Sequence, residues 1–177
     1  MASLEVVALV LTGLSISVSI LYYALVLRNQ NKTRQAQLFM QLYHKYITKE
    51  WWAEGWELLQ MEWDDFEDFA QKYDSKVDID NFTKRYVHWY FFDGMGLLLK
   101  KNLVDREMIY YLMGGYGAIW SWKKFKDIII EGRERLNNPD HLVWFEYLAK
   151  EMMKIREKRG HKVAIPEGWG TLQKPHP

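Results

Sequence analysis

The stretch VVALVLTGLSISVSILYYALVL, residues 6–27, decides how the rest of the chain is read. It holds no charge, no amide side chain and no proline. Wound as a helix at about 1.5 Å per residue, it reaches roughly 33 Å, enough to cross a bilayer's hydrocarbon core with modest tilt. A helix is the form such a segment takes in lipid, because each backbone N–H and C=O must find its partner within the segment. The flanking charges set a direction. Glu5 alone precedes the run, whereas Arg28, Lys32 and Arg34 follow it. The positive-inside bias places residue 28 onward in the cytoplasm, leaves a short N-terminus outside the inner (plasma) membrane, and sets Tyr22 and Tyr23 at the cytoplasmic interface. A cleaved signal peptide would need a basic start, a shorter apolar run and a small-residue cleavage site, none of which is present.

Inside the span the small and hydroxylated residues fall on one side. Ala8, Thr12, Ser15 and Ser19 recur at helical spacing, and the same face continues through Tyr22 and Val26 into Gln30, Thr33 and Gln37. Small residues let helix backbones approach closely in lipid, and hydroxyls can bond across a helix pair. The face therefore predicts self-association, or in a ring of subunits a mildly polar pore lining. The competing reading is that each hydroxyl bonds back to its own preceding turn.

Composition narrows the remainder. Of the 177 residues, about 150 lie beyond the anchor, room for one domain of common size. Past residue 27, 24 Lys and Arg face 22 Asp and Glu, too even a balance for a general polyanion-binding surface. The absence of cysteine suits a reducing compartment and excludes disulfides and thiolate metal sites. All nine Trp lie after residue 50, a density that leads us to expect rings left over for an oligomer or partner surface.

The periodicity predicts an all-α fold in three parts: an anchor over 1–27, a cytoplasmic helical domain over 28–160, and a Pro- and Gly-rich extended tail over 161–177. Residues 28–47 carry no helix breaker and prolong the anchor helix. Thr48 caps a second helix with Trp51, Trp52, Trp56 and Leu59 on its apolar side. The acidic stretch 62–80 reads as an amphipathic helix through Phe66, Phe69 and Tyr73. Asp74, Asp78 and Asp80 invite a calcium-loop reading, but a loop starting at Asp78 meets Thr83 where glycine is needed and Trp89 where glutamate is needed, so a turn carrying a helix cap is expected. A helix then starts at Asp80 or Asn81 and runs to about Lys101, with Asp93 marking a bend or an exposed position. Asp105 caps a Gly-kinked helix continuing to Leu136, where Asn137, Asn138 and Pro139 stop it. Asp140 caps the last helix, which ends in a basic segment at Gly160.

Motifs for chemistry are sparse. The glycines at 94–96 and 114–117 lack the rest of either nucleotide motif, and no His pair is spaced to hold a metal on one helix face. No cofactor is expected. Two histidine–arginine pairs stand out: Arg156 with His161, and Arg135 with His141. A histidine of near-neutral pKa can move a proton while arginine holds a phosphate. In an all-helical domain this Arg-x4-His resembles the motif of the HEPN superfamily, whose metal-independent ribonucleases act with residues from two protomers. Leu136 and Glu157 follow the arginines here, where many of those enzymes place Asn, Asp or His.

The architecture, a single N-terminal span before a helical domain with a degenerate Arg-x4-His, also resembles the membrane accessory proteins of RNA-targeting type VI-B CRISPR systems. It is similar, too, to several prokaryotic families of single-pass helical proteins. The accessory resemblance implies a non-enzymatic, pore-like homo-oligomer in the inner membrane that supports antiviral defence with a cytoplasmic protein or ribonucleoprotein partner. The enzyme alternative is a membrane-tethered ribonuclease acting on RNA through Arg156 and His161. A third reading is a passive scaffold between membrane lipid and a cytoplasmic partner.

Overall fold

The structure, a computed structural model, describes residues 2–161, and of Ala2 only the backbone. The described residues are all-α, as expected, in seven helices: α1 (Ala2–Tyr46), α2 (Lys49–Gln60), α3 (Phe66–Tyr73), α4 (Ile79–Lys100), α5 (Arg106–Leu112), α6 (Gly117–Arg135) and α7 (Val143–Lys158). The expected extended tail falls on residues 162–177, outside the described residues apart from His161. The chain divides into two compact units, residues 1–41 and residue 42 onward.

The first unit is helix alone. With no Pro to interrupt it, α1 continues past the apolar run as the sequence predicts, through Tyr46. It is long and apolar enough to cross a membrane, and its most apolar window is unburied by any other described residue.

The second unit is a helical bundle in which α7 packs along both α4 and α6, with α2 and α3 laid against α4 and α6. The apolar stripe of α7 is buried as its periodicity requires: Phe145, Leu148 and Ala149 are fully enclosed and Met152 nearly so. Each large side chain of that stripe contributes about 1.5–3 kcal/mol by leaving water. Of the eight described Trp, Trp51, Trp89, Trp120 and Trp122 are buried and Trp52, Trp56, Trp63 and Trp144 are half-buried. Ring-on-ring packing accounts for it: Trp63 stacks on Phe125, which meets Trp89 edge-on, and Trp122 meets Phe145 edge-on.

Several helix boundaries follow their local caps. Thr48 accepts from Trp51 N, and Asp105 from Met108 N. Others differ from expectation. The acidic helix is shorter than 62–80, because Asp65 is extended and its carboxylate caps at Asp68 N, leaving Glu62 to Asp64 outside. The next helix starts at Ile79, since Asp78 takes the Asn81 N–H. Between Asp105 and Leu136 there is a full break rather than a kink: Gly114 and Gly115 adopt φ of +60° and +74°, which ends α5 and restarts the chain as α6. Asp140 does not cap the last helix. The chain turns through Leu142 at φ +55°, which supplies no side-chain cap, and α7 begins at Val143. The missing acceptor comes from another helix. Asp93 Oδ1 lies 2.9 Å from Trp144 N and 3.0 Å from Phe145 N, so Asp93 marks neither a bend nor a free surface carboxylate.

Candidate functional site

In α1 the geometry of the small-residue face is set by its own backbone. Thr12 Oγ1 donates to Ala8 O at 2.9 Å, Ser15 Oγ to Leu11 O at 2.8 Å, and Ser19 Oγ to Ser15 O at 2.8 Å. Ser17, off that face, does the same to Gly13 O. The hydroxyl donors are thus satisfied within the helix, which lowers the cost of placing them in lipid. Their oxygens keep acceptor capacity, and Ala8, Thr12, Ser15, Ser19 and Tyr22 all stay exposed. Such a face offers close approach through small side chains rather than a demand for cross-helix hydrogen bonds.

At the end of α7 the chain turns at Gly160, φ +69°, and brings His161 N within 2.9 Å of Arg156 O. Arg156 Nη1 donates to Gly115 O at 3.1 Å, in the break between α5 and α6. His161 Nδ1 lies 3.3 Å from Tyr110 Oη. Arg159 joins them, pairing with Glu107 and donating to Tyr111 Oη at 3.0 Å. These bonds tie the basic end of α7 to α5 and its glycine turn.

Arg135 pairs with Glu131 and Glu67 and lies over the Phe66 ring, 4.2 Å from its centroid. His141 sits among Tyr86, Tyr90 and Arg133, and the Arg133 side chain donates through Nε to the His141 main-chain carbonyl. Burial, helped by the Arg133 charge, lowers the His141 pKa. The structure brings Arg135 and His141 to the wall of one cavity of about 280 Å³ between α3, α4 and α6.

Arg85, which no sequence motif marks, lines the same cavity. It is 2% exposed, and its two bonded nitrogens reach neutral acceptors: Asn81 Oδ1 at 2.7 Å and Tyr73 O at 3.1 Å. Its guanidinium lies 4.6 Å from the Phe69 ring centroid and 5.2 Å from that of Trp89. Desolvation pulls its pKa down to about 10, with Asp74 and Asp78 opposing from a distance. Arg85 Nε and the neighbouring Trp89 Nε1 are buried with no acceptor among the described residues. The signal that could have found this site is Arg85 in register with Asn81, Trp89 and Phe92, all on the buried stripe of α4.

A second, tighter cleft of about 60 Å³ opens between α2 and α6. At its side the His88 ring stacks on Trp51 at 3.8 Å, and His88 Nε2 lies 3.3 Å from Glu54 Oε2. Burial lowers the His88 pKa more than Glu54 raises it. The three aspartates of the calcium-loop reading are engaged otherwise: Asp74 accepts from Lys76 N, Asp78 caps α4, and Asp80 pairs with Lys84.

A family model described as a domain of unknown function, DUF4760, matches residues 5–152. The chain belongs to that family. The match takes in the apolar run of α1 and nearly all of the helical bundle, ending within α7 before Arg156. No curated protein and no solved structure matches the chain.

Proposed function

We propose that the chain is a non-enzymatic, single-pass protein of the inner (plasma) membrane that assembles through α1. On this reading the N-terminus lies outside and the helical bundle lies in the cytoplasm. The observation that carries it is the apolar run of α1, which lies open along its length, with Leu9 75% and Leu21 65% exposed. A surface of that extent calls for lipid or for other helices to cover it. Arg28, Lys32 and Arg34 support the orientation. The family match supports an anchor that stays with its module, since the matched region begins ahead of the apolar run.

The assembling face is Ala8, Thr12, Ser15, Ser19 and Tyr22. Its internally bonded hydroxyls support close helix packing, and in a ring they would line a mildly polar pore. An accessory role beside an RNA-guided antiviral effector, as the resemblance implies, makes a cytoplasmic protein or ribonucleoprotein the partner of the bundle.

Because the chain has no cysteine, single cysteines report its topology cleanly. A membrane-impermeant maleimide is expected to label Ser3→Cys in intact spheroplasts and Gln60→Cys only after permeabilisation. Labelling of Gln60→Cys from outside would reverse the orientation, and loss of the Ser3 site by cleavage would remove the anchor.

A further inference from the structure

We propose that the aromatic cleft between α2 and α6 is a docking site for the chain's own C-terminal segment, residues 163–170 (VAIPEGWG), with Trp169 as its anchor. The segment departs beside one wall of the cleft. His161 Nδ1, at the last described residue, lies 3.3 Å from Tyr110 Oη, and Arg156 Nη1 donates to Gly115 O at 3.1 Å. Gly115 is followed directly by Tyr116 and Gly117, which line the cleft with Trp56, Trp120 and Ser121. An extended chain advances about 3.3–3.6 Å per residue, so the eight steps from His161 to Trp169 reach as far as roughly 26–29 Å. A tether this short holds the segment at an effective concentration of order mM, ahead of a neighbouring copy's.

Size and chemistry select the same occupant. At about 60 Å³ the cleft lies far below the roughly 300–1,000 Å³ of a small-molecule site, so it suits one aliphatic side chain delivered by a peptide laid across it. Among the described residues its lining holds no Lys, Arg, Asp or Glu. Its rings form a connected set: Tyr116 stacks on Trp120 at 4.2 Å, and Trp56 lies 6.3 Å from Trp120. Trp56 and Tyr116 are half-buried, which places ring surface where an indole can pack edge-on or offset. Residues 163–166 are Val, Ala, Ile and Pro, apolar like the cleft. A proline-bearing strand also loses little entropy on docking among aromatic rings. Gly168 and Gly170 flank Trp169, leaving no side chain to obstruct its approach.

The test uses the full chain in nanodiscs, which has no cysteine of its own. Ser121→Cys places one thiol on the cleft wall, and its rate of maleimide labelling reports whether the cleft is covered. Adding Trp169→Ala is expected to speed labelling at least tenfold, and Ile165→Asp, which puts a charge on the apolar segment, should do the same. Ala149→Cys, at a fully buried position of α7, should stay unlabelled in both backgrounds. Unchanged Ser121→Cys rates in both variants would overturn the proposal. An equal gain at Ala149→Cys would do so too, by tracing the effect to general opening of the bundle. A Ser121→Cys rate that rises on dilution into excess lipid would put a neighbouring copy's segment in the cleft and overturn the claim for the chain's own.

Discussion

Asp93 in α4 caps α7 from outside: its Oδ1 accepts the N–H of Trp144 at 2.9 Å and that of Phe145 at 3.0 Å. A helix N-terminus leaves backbone donors without partners, and a carboxylate there also suits the helix dipole. Leu142 occupies the position where Ser, Thr, Asp or Asn would ordinarily serve, so the long-range bond replaces the local one. Asp93→Ala is expected to lower stability by about 1–2 kcal/mol, the usual worth of a cap, while Asp93→Asn keeps an acceptor and loses less. Thermal melting of both variants by circular dichroism measures the difference. Equal melting temperatures for wild type and Asp93→Ala would show that the contact contributes nothing.

One turn further along α4, Gly96 lies where a Cβ would overlap the Trp144 carbonyl. Gly96→Ala is therefore expected to destabilise by about 1–3 kcal/mol or more, through overpacking of α4 against α7. Gly94 and Gly132 meet nothing within 4 Å, so alanine there should stabilise by about 0.5–1 kcal/mol through helix propensity alone. The three melts together separate close approach from propensity. A Gly96→Ala protein as stable as wild type would contradict the packing of α4 on α7.

Acid should loosen the bundle through its buried histidines. Burial depresses the pKa of His88 and of His141 below the ordinary value of 6.5. The unfolded chain then takes up more protons than the folded one as pH falls through that value. Their contribution is fully present above about pH 6.5 and is lost progressively below it. Melting temperatures from pH 8 to pH 5 should fall on the acid side, and His88→Gln should flatten that slope. An identical slope in His88→Gln would show that His88 protonates as readily folded as unfolded.

How much of this could be read from residue order depends on how far each interaction reaches. The caps at Thr48 and Asp105 bond three residues on, so the sequence shows them. Asp93 bonds 51 and 52 residues away, and its neighbour Gly94 offers a cheaper local explanation that proves wrong. The paired glycines at 114 and 115 announce a distortion, but only their left-handed φ makes it a break. For the candidate sites, the α1 face is legible because helical spacing alone defines it. Arg135 and His141 were visible as a pair, whereas Arg85 was not, because its importance rests on Phe69 and Trp89 closing over it and on the carboxylates that stay away.

Assembly through α1 is the central claim, and the mass of the intact protein in nanodiscs, by native mass spectrometry, tests it most directly. A discrete homo-oligomer is expected, and replacing Thr12 and Ser15 with isoleucine should dissociate it by spoiling the close approach. A monomer at every protein concentration would contradict the account, and a dimer that survives both substitutions would place the contact elsewhere in the chain.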